Sequence, residues 1–419
     1  MHLVFIKFIE VFTRAGLVVG VTYSLALDDA GRFGITVTLI GLFAFAFNWE
    51  RHIDIQRRCA GHDVAALDRM ILDAIPFWAF NQLLMLPVFA VLAAVMAKLT
   101  LLQLLLVLLI VSGEHIANQT YQIALIASRY WSFVIIVAVK NVAVLLVVLP
   151  RILLAPSQLT LTFVLTTWAV GQTLCVIVIA AVWITRSRPS PSTRVGFMRH
   201  ILTQHRASLT HFQIGIVAIL SLQFDRLAIA SLVPLSAAGT YFRHVLIVSF
   251  VYQFFNVASY NRILPRIFAA ARTEPIPALW RPIRREFAMV VGVVLTGLVC
   301  ALIADAVTGG RISARYHLSL TLALPLLVGA LLRVLADFTG LLCNARHREA
   351  LVLRNQFVAF VAGATALVVL TLKFGITGTA FASIVSSGIY LVLITRAVRS
   401  LAPSPLFADV GAPHAGTRS

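Results

Sequence analysis

Twelve nearly unbroken apolar stretches, each about the 20 residues that carry a helix across a bilayer core of about 30 Å, recur along this chain of 419 residues. They cover residues 5–27, 33–49, 71–97, 101–127, 131–150, 159–184, 208–232, 236–260, 286–306, 318–342, 355–372 and 376–397. A chain of which 60% is hydrophobic and only 12% charged has no way to keep such stretches in water. The fold class is therefore an all-α polytopic membrane protein with about twelve transmembrane helices.

The longest polar interruption, "TRSRPSPSTRVGFMRHILTQHR" at 185–206, follows the sixth stretch and is rich in Pro, Ser and Arg. It divides the chain into an N-terminal six-helix bundle, 1–184, a basic cytoplasmic linker, 185–206, and a C-terminal six-helix bundle, 207–400. The last residues, 401–419, have the composition of a disordered cytoplasmic tail. Each half has an even number of spans, so a duplication relating them is a parallel one, about an axis along the membrane normal. An ungapped shift of 208 residues supports it, pairing Ala30 with Ala238, Gly31 with Gly239, Val37 with Val245, Phe47 with Phe255, Asn48 with Asn256, Ile55 with Ile263 and Arg58 with Arg266.

Orientation follows from the cations, because loops rich in Lys and Arg stay on the cytoplasmic side. With the N-terminus inside, 23 of the 34 lysines and arginines are cytoplasmic, and both termini are placed there. The net charge of +18 is then mostly a matter of topology, with anionic membrane lipids as its neighbours and no nucleic acid implied. The first stretch has a lysine before an apolar run, like a secretory leader, but Glu10 and Arg14 interrupt it, which indicates a retained helix. Cys59, Cys175, Cys300 and Cys343 lie far apart with no metal-ligand spacing and read as packing residues. Asp28 and Asp29 just precede the second stretch, where they are expected to cap its helix.

Four cations fall inside spans: Arg14, Lys140, Arg243 and Arg333. Each costs about 2.5 to 3.5 kcal/mol at a helix centre unless it meets water or a partner, so each is a candidate substrate contact. Glu10 and Arg14, and likewise Arg333 and Asp337, are spaced four apart on one helix face and can pair internally. Lys140 and Arg243 have no such neighbour. Arginine offers a planar fork of donors matched to phosphate oxygens, and a phosphate-bearing head faces a barrier of order 20 kcal/mol per charge in hydrocarbon by the Born estimate. The acids Glu114 and Asp337, with Glu10 and Asp225, are candidates for proton or sodium coupling; partnership with Lys140 or Arg333 is the alternative for the first two. No phosphate loop, nucleophile elbow or zinc-binding helix motif is present, and no cofactor or metal is implied.

The stretch "QFDRLAIASLVPLSAAGTYFRHVLIVSFVYQFFNVASYNRILPRI", with Asp225, Gly239, Tyr241 and Pro265, resembles the start of the second half in lipid-linked oligosaccharide flippases. These O-antigen and exopolysaccharide translocases belong to the multidrug/oligosaccharidyl-lipid/polysaccharide exporter superfamily, and "LALDDAGRFG" echoes the pattern in the first half, departing from it at Arg32. The resemblance implies two six-helix bundles around a central cationic cavity that opens alternately to each side of the bacterial inner membrane. It implies an undecaprenyl-diphosphate-linked oligosaccharide as substrate, with a polysaccharide polymerase and a chain-length regulator as further partners. It matches the family's first-helix arginine to Arg14 and its second-half cavity cation to Arg243, while Arg333 rests on the physical reading alone. The chain lacks the two extra helices of the peptidoglycan-lipid flippase branch, which favours a surface polysaccharide. An integral membrane glycosyltransferase using a lipid-linked sugar donor, with Asp28 and Asp29 in an outer loop, is the alternative. A drug exporter of the same superfamily is a third reading, disfavoured by the number of arginines.

Overall fold

The computed structural model describes residues 2–49, 51, 64–126, 131–186, 197–255, 259, 263, 267–268, 270, 274–310, 318–346 and 348–401. Cys59, the linker stretch 187–196, Pro265 and the tail beyond 401 lie outside them. The described residues are helical almost throughout: α1 His2–Ser24, α2 Leu27–Asn48, α3 Val64–Met96, α4 Leu101–Ile126, α5 Trp131–Leu154, α6 Leu161–Arg186, α7 Phe197–Leu232, α8 Leu235–Phe254, α9 Ile276–Val307 and α10 Leu320–Ala345. The final stretch, Glu349–Arg399, holds 51 residues, which as one straight helix at about 1.5 Å per residue would far exceed a bilayer core of about 30 Å. It is broken at Gly375, where φ is 60° and ψ −143°, a backbone conformation in which a Cβ is strained. The two arms, α11 before Gly375 and α12 after it, bring the named helices to twelve, one at each of the expected stretches.

Among the described residues nine helices, counting the broken one once, are long and apolar enough to cross a membrane. This is a multi-pass membrane protein. Outside that set are α1 and α8, which carry Glu10 and Arg14, and Arg243 and His244, among their apolar residues. Several helices begin earlier than hydropathy indicates, α3 at Val64, α7 at Phe197 and α9 at Ile276. In α7 the reason is a buried residue within the basic stretch: Ile201 packs in a core with Ile71, Phe77 and Phe133. The end of the expected linker 185–206 is therefore helix. Asp28 and Asp29 do not cap α2; the helix starts at Leu27, its N-cap is Ala26, and both acids lie in the first turn. There they complement the positive end of the helix dipole, and Asp29 sits 3.5 Å from Arg32.

The chain forms two compact units, Met1–Leu246 and Ile247–Ser419. In the first, α2 is the central element, packed against α3, α4 and α7, with Phe33, Ile35, Leu39, Ile40 and Phe47 fully buried. In the second, α10 packs along α11 and α12 around a core that includes Phe338, Leu341, Tyr390 and Ile394. Cys175 and Cys343 are buried as packing residues, whereas Cys300 is exposed on α9.

Within the first unit, α2 and the start of α8 meet at Gly31 and Gly239. A Cβ on Gly31 would run into the carbonyl oxygen of Leu235 and lie 3.2 Å from the nitrogen of Gly239. A Cβ on Gly239 would run into the carbonyl oxygen of Leu27 and lie 3.1 Å from the nitrogen of Gly31. Both glycines and both leucines are pairs separated by the repeat shift of 208. One turn on, the Phe242 ring lies over Gly34, again 208 residues apart. Contacts between equivalent residues on successive turns require helices that run side by side in the same direction, as a parallel duplication does. Valine at either glycine is expected to force the two backbones apart and lower the thermal midpoint measured in detergent. The double variant G31V/G239V should lose much less than the sum of the single losses, since both open one contact; additive losses would count against it.

Candidate functional site

The in-span charges of the first unit converge on Glu114 in α4. Its carboxylate is 3% exposed and accepts from the Lys140 ammonium of α5 at 3.0 Å, from Arg14 of α1 at 3.0 Å and from the Trp168 indole N–H of α6 at 3.2 Å. Lys140 also donates to the side-chain oxygen of Gln172 at 2.7 Å. A carboxylate shared by two cations is how a buried charge is held in a low-dielectric interior. Lys140 is enclosed, whereas the Arg14 side chain is 33% exposed beyond its ion pair. Arg14 thus reaches across to another helix; Glu10, one turn before it, is buried. Trp168 and Gln172 had no signal in the sequence apart from the amide's polarity within an apolar span.

Arg243 is handled differently. It is buried at 4% exposure, and no carboxylate pairs with it among the described residues. Its Nε donates to the carbonyl of Thr22 at 3.2 Å, and its Nη2 to those of Tyr23 at 3.5 Å and Leu25 at 3.0 Å. These carbonyls end α1, where the backbone has no helical partners of its own. The Tyr23 hydroxyl donates in return to the carbonyl of Arg243 at 2.9 Å. Arg243 therefore ties the last turn of α1 to α8, beside the glycine contact. On the same hairpin, Asp225 accepts from the Tyr241 hydroxyl at 2.5 Å.

In the second unit, Arg333 and Asp337 lie one turn apart on α10. Arg333 Nε is 3.2 Å from Oδ1 and 3.3 Å from Oδ2 of Asp337, whose Oδ2 also accepts from the Tyr252 hydroxyl at 2.6 Å. The guanidinium carbon stands 4.7 Å from the ring centroid of Tyr390. The four cations named from sequence are thus distributed: Arg14 and Lys140 share one carboxylate, Arg243 binds backbone carbonyls, and Arg333 has an acid of its own.

A bundle of apolar helices with its few charges paired inside the spans defines a class, the multi-pass helical membrane protein. The comparisons narrow the fold. The structure is similar to that of the lipid II flippase MurJ in an inward closed conformation, with a TM-score of 0.67 and 11% identity over 94% of this chain and 87% of that one. It is also similar to an inward-facing multidrug resistance MATE family transporter of the MOP superfamily, with a TM-score of 0.63 and 13% identity over 92% and 93% of the two chains. The eukaryotic MATE transporter AtDTX14 follows at a TM-score of 0.50 and 14% identity, over 94% and 95%. No family model and no curated protein sequence matches the chain. The chain has the fold these transporters share.

The Glu114 cluster yields a stability test. Glu114→Gln leaves Lys140 buried without its counter-charge and is expected to cost about 3 to 5 kcal/mol, read as a lower unfolding midpoint. Replacing both partners, as E114L/K140M, should recover most of that loss, because two charges then no longer need solvation. A double variant no more stable than E114Q would show that the cluster does not act as an ion pair.

Proposed function

We propose that this protein is a flippase that carries a polyprenyl-diphosphate-linked oligosaccharide across the bacterial inner membrane, for the synthesis of a surface polysaccharide. Transport proceeds by alternating access, with the anionic head shifting the population between conformations through its different affinity for each. The halves are the six-helix bundles 1–184 and 207–400, joined by the basic stretch 185–206, whose end is the first part of α7, and both termini are cytoplasmic. Arg14, Lys140, Arg243 and Arg333 are the candidate cations for the head, Glu114, Asp337, Glu10 and Asp225 are the acids available for ion coupling, and the polyprenyl tail stays in lipid. A polymerase and a chain-length regulator act on the product.

The observation that carries this reading is the combination of the MurJ-like fold with arginines held inside the spans. MurJ is by its name a lipid II flippase, so its fold is compatible with a lipid-linked head. A polyprenyl diphosphate needs guanidinium groups of this kind where it crosses hydrocarbon. The glycosyltransferase alternative relied on Asp28 and Asp29 as outer-loop acids, and these lie instead in the first turn of α2 with Asp29 beside Arg32. The drug-exporter reading keeps one support, the similarity to a multidrug resistance transporter.

The deciding measurement is where lipid-linked oligosaccharide accumulates in cells lacking the protein. Completed repeat units building up on the cytoplasmic leaflet are the expected result. An unfinished glycan would move the function to sugar transfer, and unchanged lipid intermediates with altered drug susceptibility would move it to drug export.

A further inference from the structure

The cations inside the spans differ in what they leave available to a ligand. Arg243 has spent Nε and Nη2 on three carbonyl oxygens at the end of α1, where it is surrounded by acceptors rather than open to an anion. Lys140 is enclosed by Glu114 and Gln172. In the second unit, Arg333 uses only Nε, and its Nη1 and Nη2 make no hydrogen bond among the described residues, although the side chain is just 7% exposed. Neither nitrogen is among the fully enclosed side-chain atoms that lack a partner, so both reach accessible space at the outer edge of the guanidinium, where water or an oxyanion can meet them.

The surroundings fix how that fork is presented. Asp337 holds the Nε side, and the Tyr252 hydroxyl holds Asp337 Oδ2, so the carboxylate has little freedom to swing around to the other nitrogens. Tyr390 lies against the guanidinium, and its hydroxyl accepts from Gln356 at 3.2 Å. The Nη1–Nη2 edge that remains offers two parallel N–H bonds, the arrangement that grips two oxygens of one phosphate.

We infer that Arg333, rather than Arg243, is the phosphate-contacting arginine of the second half, with Asp337, Tyr252 and Tyr390 as positioning residues that aim its free edge. The inference rests on the proposed function for the source of the phosphate, the diphosphate of the lipid-linked substrate. Arg243 is assigned a structural role, tying α1 to α8.

The test is binding of farnesyl diphosphate, a diphosphate with a short prenyl tail and no sugar, to the full chain in phosphatidylcholine nanodiscs. Wild type is compared with R333Q, R333K, R243Q and Y252F, each with its unfolding midpoint. Loss of a charged bidentate contact should weaken R333Q by about 10- to 100-fold, with R333K intermediate because it keeps charge but not the fork. R243Q should bind within about threefold of wild type, since its contacts are to backbone. Y252F should weaken binding in the wild-type background and have no further effect in R333Q, which a merely structural tyrosine would not do. If R333Q fails to fold, R333K, which keeps the partner for Asp337, carries the same comparison.

Wild type that binds with R333K and R333Q equally tight overturns the inference alone, as does a larger loss in R243Q than in R333Q. Wild type that binds neither farnesyl diphosphate nor inorganic pyrophosphate overturns the proposed function and the inference together. Competition by added phosphatidylglycerol, with the same dependence on Arg333, keeps the phosphate subsite and reassigns its ligand to a membrane lipid headgroup.

Discussion

A charge inside a membrane span has to be answered by another group, and Glu114 shows how far that requirement shapes the first unit. Its carboxylate draws an ammonium from α5, a guanidinium from α1 and an indole from α6, so four helices are aligned in depth by one side chain. Apolar helices packed only by van der Waals contact can slide along one another at little cost. A buried three-way contact removes that freedom, because a shift that breaks it strands a charge. The packing of leucine and valine around the cluster follows from the register that the charges set.

The second unit meets the same constraint more locally. Arg333 and Asp337 neutralise each other within one turn of α10, and Tyr252 completes the acid's coordination. Neighbouring helices are then free of any need to supply a counter-ion. What remains unanswered is the outer edge of the guanidinium, and that asymmetry separates Arg333 from Arg243, whose Nε and Nη2 are taken by backbone carbonyls.

How much of this could be read from the chain depends on the distance between partners. The twelve helices and the gap between the last two, where Gly375 breaks the final stretch, were plain, because hydropathy is a local signal. The Arg333–Asp337 pair was legible for the same reason, a spacing of four on one helix. Partnership of Glu114 with Lys140 was one of the two roles open to that acid, but Arg14 as its second cation was not legible, since the two lie on different helices and only tertiary packing sets their relative depth. Arg243 was opaque in another way: its acceptors are main-chain carbonyls of Thr22, Tyr23 and Leu25, which any sequence would supply. The early start of α7 was hidden because Pro, Ser and Arg lead into it, and a single buried isoleucine, Ile201, outweighs that polarity once Ile71 and Phe77 stand opposite.

The meeting of Gly31 with Gly239 bears on which substitutions the chain can accept. Most residues of two packed helices can change independently, since each faces its own surroundings. These two face each other, so a change in one alters the setting of the other. A side chain gained at position 31 would have to be accommodated at 239 and by the Leu235 backbone, while the equivalent change at 239 would press on Leu27. The contact is a mutual steric veto, and small residues at both places are the condition on which α2 and the start of α8 lie together.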